Sequence, residues 1–434
     1  MIRVNKKKEA VVLLIFALIF LSIAQYIGIK KEFDALPWRS VSADSGSNLE
    51  NTKGQTDNSN QIIGEIEQDV RDNEVLTLSA VSACLMDADN GRVLYEKDGY
   101  SEKAMASTTK IMTLIVILEN AQLDDIVTVS SNASKQPDVQ LNIITGEQYR
   151  LGDLVYSLML ESHNDVAVAL AEHVGGSVET FCNMMTEKAR AIGALHTQFK
   201  TPNGLDAEGH YTTASDLALI SCYALKNQKF REIITQQTYE FKELTKGRSF
   251  TVNNKNRFLY LMKGAIGIKT GYTSKAGYCF VGALESEGRT YVSVVLGSGW
   301  PPHKQYKWAD TQKLMNYGMQ NFTFKNVQNE LLEEQPEFSV PQSIPVKEGE
   351  KKEVTIYAES PILNESILMS ETENVRAVVN ITDEMEAPVV EGQKVGKVSY
   401  YIDNNVYKEV PIYTAESVRK VTFPFAIKEL LHIW

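Results

Sequence analysis

Ser107 and Lys110 stand three residues apart at the head of the apolar run ASTTKIMTLIVILEN, residues 106–120. Helical spacing puts both on one face, one turn apart, so the amine can reach the hydroxyl. A serine hydroxyl is a poor nucleophile until a base takes its proton, and a lysine is such a base only if burial and neighbours keep its amine partly neutral. The chemistry this pair could do is acyl transfer onto Ser107. An isolated S-x-x-K is common on solvated helix faces, but two more clusters follow in order. Ser162-His163-Asn164 lies where two helical patterns meet, and Lys269-Thr270-Gly271 lies on an apolar strand after Ile266-Gly267-Ile268.

The elements that must position these residues can be read from periodicity. LTLSAVSACLMDADNGRVLYEKD, from Leu76, is two apolar runs around an Asn-Gly turn, a β-hairpin. After the Ser107 helix come a strand-and-turn stretch and two helical patterns, LGDLVYSLMLES and NDVAVALAEHVGG. Further helices are expected at Val178–Ile192 and Thr213–Lys226, the latter opened by a Thr-Thr-Ala-Ser-Asp capping cluster. GAIGIKTGYTSKAGYCFVGALESEGRTYVSVVLGSG reads as an antiparallel meander, followed by a helix over Lys304–Gly318. The hairpin and meander should form one sheet with helices on its faces and a helical block beside it. Prolines and acidic residues near Glu333–Pro345 mark a boundary, and alternating apolar and polar residues beyond it indicate a small all-β domain.

The resulting division is 1–31 as signal peptide or membrane anchor, 32–75 as a polar linker, 76–325 as the main domain, 326–338 as a linker, 339–414 as the β-rich domain and 415–434 as an apolar tail. Arg3 and Lys6 to Lys8 precede the run VVLLIFALIFLSIAQYIGI, and Lys30 and Lys31 follow it. That is either a cleaved secretory signal or a single retained anchor, and both put the rest of the chain outside the cytoplasm. The tail VTFPFAIKELLHIW either packs on the β domain or lies in a membrane interface.

A net charge of 44 − 55 = −11 argues against a nucleic-acid partner, which needs clustered cations. Cys84, Cys182, Cys222 and Cys279 have no paired spacing, so buried free thiols are expected rather than a zinc site or a disulfide framework. His173, His196 and His210 match no compact metal motif, and no metal or other cofactor is expected.

The ordered set S-x-x-K, S-x-N, K-T-G is the signature of penicillin-binding proteins and β-lactamases. With ASTTKIMT, the segment TPNGLDAEGHYTTASDLALI (201–220), KTGYTSKAGYC and EGQKVGKVSYY, the chain resembles the low-molecular-mass penicillin-binding proteins, serine-type D-alanyl-D-alanine carboxypeptidases, from about Leu76 to Thr414. The resemblance implies the penicillin-recognising α/β (α+β) serine hydrolase fold: an antiparallel sheet flanked by helices, with a helical subdomain, then a small all-β domain. It implies D-Ala-D-Ala-terminated peptidoglycan stem peptides as substrate, β-lactams as covalent ligands, and attachment to the outer face of the bacterial cytoplasmic membrane. Ser107 would be the nucleophile, Lys110 its base and Ser162 a proton relay to the leaving amine. Asn164 would hold the substrate backbone, and Lys269 and Thr270, with Gly271 beside them, its terminal carboxylate. The oxyanion would sit between the backbone N–H groups of Ser107 and Tyr272.

Three features qualify the pattern. His163 stands where the family often has a small residue, and either makes a local hydrogen bond or acts as a base. Lys307 stands near the position of a family arginine at the substrate carboxylate, and a lysine lacks the bidentate fork. Class A β-lactamases deacylate with a loop resembling E-x-x-x-N preceded by an arginine; the region between the second and third motifs here instead holds TPNGLDAEGHYTTASD, so a long-lived penicilloyl adduct is expected rather than fast hydrolysis. The competing expectations are D,D-endopeptidase or β-lactamase activity at the same site, and a non-catalytic wall-binding or penicillin-sensing protein.

Overall fold

The computed structural model describes residues 76–359 and 363–432. The expected signal or anchor (1–31) and linker (32–75) lie outside the described residues, as do the last two residues of the tail.

The chain opens with the Asn-Gly hairpin, β1 (Ser82–Asp87) and β2 (Val93–Lys97), paired with Cys84 opposite Glu96. Its turn is closed from within: Asp87 Oδ1 accepts from the Asp89 N–H, Asn90 Oδ1 from the Arg92 N–H, and Gly91 takes a φ of 75°. Helix α1 (Lys110–Asn120) is buried all round from Lys110 to Ile117, as its unbroken apolar run requires of a central helix. A short pair, β3 (Ile126–Thr128) and β4 (Gln148–Arg150), leads into α2 (Leu151–Leu160) and α3 (Asn164–Gly175). Then come α4 (Val178–Ile192), N-capped by Ser177 Oγ, and α5 (Ala214–Leu225), N-capped by Thr213 Oγ1. The second cap is the Thr-Thr-Ala-Ser-Asp cluster.

Helix α6 (Gln228–Thr235) and the hairpin β5 (Thr238–Lys242) and β6 (Ser249–Asn253) follow. The sequence pattern did not mark either. The meander is β7 (Ala265–Thr273), β8 (Gly277–Ser286) and β9 (Arg289–Leu296), and α7 (Tyr306–Asn321) closes the unit. The five strands form one antiparallel sheet in the order β2-β1-β9-β8-β7. Both its faces are covered. On β1, Cys84 and Met86 enter the core shared with α1 and α5, whereas Ala83 and Leu85 enter the one shared with Leu314 and Met315 of α7. Alternate residues of one strand therefore feed two cores.

The stretch 326–338, expected as a linker, is instead partly structured. Strand β10 (Thr323–Asn326) runs into α8 (Val327–Glu334), whose Val327 and Leu331 are fully buried in the C-terminal core. The i, i+4 spacing of these two apolar residues gives the helix a buried face despite the acidic residues around them. Beyond it stand β11 (Ser343–Lys347), β12 (Glu353–Ala358), β13 (Ser366–Met369), β14 (Val375–Ile381), β15 (Met385–Glu386), β16 (Lys394–Ile402) and β17 (Asn405–Thr414). Six of these form the sheet β14-β16-β17-β12-β11-β15. The expected end of this domain at Thr414 is short: Val418 bridges to Val389 and is buried in the same core. Helix α9 (Phe423–His432) comes only after that.

The two units are bonded to each other. Strand β10 pairs with β13, the Arg92 guanidinium reaches the Leu368 carbonyl and the Glu373 carboxylate, and Arg289 donates to the Ser366 carbonyl at 2.6 Å. All four cysteines are free and buried, and burial pushes the Cys84 and Cys279 thiols up to about 12.

Candidate active site

Ser107 sits in a tight 3-10 turn, Ala106–Thr109, that runs directly into Lys110 and α1. Hydroxyls hold the turn from within: Thr108 Oγ1 donates to the Met105 carbonyl at 2.6 Å and Thr109 Oγ1 to the Ala106 carbonyl at 2.8 Å. Ala106 is left-handed with φ 48°, a conformation that costs an alanine free energy and persists only where its surroundings impose it. Two glycines let those surroundings close in. A Cβ on Gly204 (φ +86°) would lie 2.0 Å from the Ala106 carbonyl oxygen, and one on Gly271 would lie 2.9 Å from the Ser107 nitrogen.

Lys110 is fully buried, and its Nζ has three neighbours: Ser107 Oγ at 3.0 Å, Asn164 Oδ1 at 2.9 Å and the Asn203 carbonyl at 2.5 Å. Burial holds this amine well below the ordinary lysine value, the nearby Lys269 charge lowers it further, and Asp165 works weakly the other way. A neutral amine has two hydrogens and one lone pair. The two carbonyl oxygens can take the hydrogens, which leaves the lone pair for the Ser107 hydroxyl.

The structure brings the second cluster to the same point. α2 ends at Leu160 and α3 begins at Asn164, so Ser162 and His163 form the corner between them. Ser162 has a φ of 72°, and its buried Oγ has no hydrogen-bond partner among the described residues. It therefore offers an open donor and acceptor at the site but does not touch Lys110 directly. Asn164 points its carbonyl at Lys110 and its nitrogen at the Pro137 and Asp138 carbonyls, at 3.2 and 3.0 Å. In this arrangement its amide is engaged by the protein, and its acceptor serves the Lys110 amine. His163 makes local bonds only, Nδ1 to Ser157 Oγ at 2.7 Å and Nε2 3.4 Å from Glu161, and burial lowers its pKa.

Strand β7 is the outer strand of the sheet and brings the third cluster alongside the Ser107 turn. Lys269 is buried, lies close enough to depress Lys110, and is itself held at about 7 by burial. Its Nζ donates to the Thr270 carbonyl at 3.2 Å. Alternation sends Lys269 and Gly271 to one face of the strand and Thr270 and Tyr272 to the other. Tyr272 is half exposed and packs its ring against Tyr278, 4.7 Å away between centroids. Lys307, at the start of α7, lies over that same Tyr278 ring at 4.7 Å and donates to the Lys304 carbonyl at 3.3 Å. Burial lowers it to about 8. It thus stands on the Thr270 and Tyr272 side of β7.

The sequence reading missed Asn203 as a site residue. Its contribution is a backbone carbonyl, which also faces Ser107 Oγ at 3.3 Å, so its side-chain type gave no signal; the Thr-Pro-Asn-Gly turn around it was the available clue. Among the described residues no three His, Cys, Asp or Glu side chains are grouped to hold a metal ion.

Residues 68–299 match the family described as D-alanyl-D-alanine carboxypeptidase, and residues 332–420 match the family described as penicillin-binding protein 5, C-terminal domain. The D-alanyl-D-alanine carboxypeptidase DacF of Bacillus subtilis (strain 168) is 29% identical over 378 residues, 85% of this chain and 93% of its own. The enzyme DacA of Haemophilus influenzae is 30% identical over 341 residues, 75% of this chain and 82% of its own. The crystal structure of penicillin binding protein 5 from Haemophilus influenzae has a TM-score of 0.62 at 26% identity, covering 79% of this chain and 98% of that one.

Proposed function

Since this chain belongs to the D-alanyl-D-alanine carboxypeptidase family, we propose that Ser107, Lys110 and the groups around them carry out that family's hydrolysis. The enzyme is a serine peptidase that removes the terminal D-alanine from peptidoglycan stem peptides ending in D-Ala-D-Ala, and it binds penicillin. The observation that carries the assignment of roles is the buried Lys110 amine, 3.0 Å from Ser107 Oγ with two carbonyl oxygens placed to take its hydrogens.

On this reading Lys110 takes the Ser107 hydroxyl proton as Oγ attacks the penultimate D-alanine carbonyl carbon. The oxyanion is met by the Ser107 and Tyr272 N–H groups. As the C–N bond breaks, the proton held by Lys110 passes to the departing amine through Ser162 Oγ, which bonds neither group in the free site and must close on both once the peptide is bound, and free D-alanine leaves. Water then attacks the acyl-enzyme carbonyl, gives its proton to Lys110, and Ser107 Oγ is released with a proton returned. Lys269 and Thr270 hold the terminal carboxylate. Lys307 adds positive charge from the Thr270 side, as a point charge rather than a fork. Penicillin follows the first half of this path and stays on Ser107.

The same proposal covers location. The basic flank and apolar run at residues 3–31 support export to the outer face of the cytoplasmic membrane. Phe423 of α9 is 80% exposed, and Ile427, one turn on, is 41% exposed, which supports contact of this helix with the membrane interface. Among the described residues no helix is long and apolar enough to cross a membrane.

The decisive experiment is intact-protein mass spectrometry after incubation with penicillin, beside D-alanine release from a diacetyl-L-Lys-D-Ala-D-Ala peptide, in the wild type and Ser107→Ala. A covalent adduct on the wild type alone is expected. An adduct of equal yield on Ser107→Ala would remove Ser107 from its role. Fractionation of cells expressing the full chain tests the location; full recovery in the soluble cytoplasmic fraction would refute it.

A further inference from the structure

His210 is buried on the segment 199–212 that also carries Asn203, and no step above uses it. Its ring stands edge-on to Phe199, and each ring nitrogen has one partner. Nδ1 accepts from the Lys200 backbone N–H at 3.0 Å, and Nε2 lies 2.9 Å from Thr109 Oγ1. Because a backbone N–H can only donate, Nδ1 must be the bare nitrogen and Nε2 must carry the hydrogen. The hydroxyl it meets is already directional, since Thr109 Oγ1 donates to the Ala106 carbonyl at 2.8 Å. The result is a one-way chain: Lys200 N–H to His210 Nδ1, His210 Nε2–H to Thr109 Oγ1, Thr109 O–H to the Ala106 carbonyl.

That chain ends on the residue that most needs holding. Ala106 is the left-handed alanine whose carbonyl also faces Gly204, and its conformation decides where the Ser107 N–H and Oγ point. The segment 199–212 therefore grips the nucleophile turn at two places, through the Asn203 carbonyl at Lys110 and Ser107 and through His210 at Thr109.

We propose that His210 is a positioning residue for acylation: as the Nε2–H tautomer fixed by Lys200, it locks Thr109 and through it the strained Ala106–Ser107 peptide in the geometry that aims the nucleophile. It touches neither Ser107 nor Lys110 and transfers no proton. The proposal rests on Ser107 being the nucleophile, so the experiment first maps the penicilloyl group by peptide mass spectrometry in the wild-type full chain; a label away from Ser107 ends the parent reading, whatever His210 does.

With the label on Ser107, the acylation rate constant is measured per titratable site with a fluorescent penicillin for His210→Ala, His210→Gln, Thr109→Val and the double variant His210→Ala/Thr109→Val, each with a thermal melt. A glutamine amide can accept from Lys200 and donate to Thr109, so it keeps both links. Displacing a reacting group by about 1 Å costs on the order of 10²-fold, so His210→Ala and Thr109→Val should each lose about 10- to 100-fold per active site. His210→Gln should stay within about threefold of the wild type, and the double variant should be no slower than the slower single, because both break one chain. Should His210→Ala fail to fold, His210→Gln and Thr109→Val still carry the test. Wild-type acylation per site in His210→Ala or Thr109→Val, a glutamine variant as slow as alanine at an unchanged melting temperature, or losses that multiply in the double variant would each overturn the proposal.

Discussion

Replacing Gly271 by alanine probes how closely the backbone proposed to bind the oxyanion is set. The new Cβ would lie 2.9 Å from the Ser107 nitrogen, 3.0 Å from Ala106 Cβ and 3.1 Å from the Thr108 nitrogen. Ordinary contact begins at 3.4 Å, so the turn and strand β7 must part by 3.4 − 2.9 = 0.5 Å. Two of the three atoms are backbone and the third is a Cβ fixed to it, so no side chain can rotate away. An oxyanion donor works at roughly 2.7–3.1 Å. Half an ångström takes the Ser107 N–H, or its counterpart at Tyr272, beyond that range, and losing one such donor costs about 10²–10³ in kcat. Gly271→Ala should therefore release D-alanine and acylate with penicillin about 100-fold more slowly per folded molecule. Stopped-flow acylation, normalised to the folded fraction from near-ultraviolet circular dichroism, measures it. A folded variant that acylates within threefold of the wild type would refute the reasoning.

Lys110→Gln keeps groups that can bond Asn164 and Asn203 but has no basic lone pair, and acylation should fall by about 10²–10⁴, the range of a general base; a stopped-flow rate near wild type would exclude Lys110 from that role. Burial, assisted by Lys275, lowers His210 to about 4 from an ordinary 6.5, so between these values the unfolded chain holds a proton that the folded one refuses. Its stability contribution is full above pH 6.5 and declines as pH falls toward 4, by up to about 3 kcal/mol at 1.36 kcal/mol per unit. Urea unfolding at pH 7 and 4.5 should show a gap about 2 kcal/mol smaller in His210→Gln than in the wild type. Leu331→Ala in α8 removes a fully buried side chain and should destabilise the C-terminal unit by about 2–5 kcal/mol, seen as earlier proteolysis beyond residue 326. The four buried thiols should stay unreactive to Ellman's reagent until the protein is denatured.

Much of this architecture is written in patterns that a single strand or helix carries. The Asn-Gly hairpin, the all-apolar α1, the Thr213 cap and the three runs of the meander each declare themselves locally. The hairpin β5–β6 does alternate, with Tyr239, Phe241, Phe250 and Val252 on its inner face, but each strand is only five residues long and the six-residue connection 243–248 lacks the Asn-Gly turn that marks the first hairpin. Helix α8 was hidden by the prolines and acidic residues that follow it, although two apolar side chains one turn apart suffice to dock it. At the site, side chains with chemistry of their own stood out by type and spacing: Ser107, Lys110, Ser162, Asn164, Lys269. Contributions made by backbone atoms did not. The Asn203 carbonyl, the left-handed Ala106 and the approach of Gly204 to it depend on how two distant segments meet, and no local pattern encodes that. The direction of the Asn164 amide, toward Lys110 and the loop 137–138, is likewise a product of packing.

Strand β7 is an outer strand, and such a strand is ordinarily a hazard, since its free N–H and C=O groups will accept any extended chain, including a second copy of the same protein. Here the Ser107 turn is packed against it, close enough that a Cβ on Gly271 would lie 2.9 Å from the Ser107 nitrogen, so under the proposed function the extended chain this edge would accept is the stem peptide. A guest lying there would be read by its main chain, as an added strand is. Methylation of a single backbone nitrogen in a stem-peptide analogue, which changes neither its charge nor its side chains, would then be enough to make it a stranger to this edge.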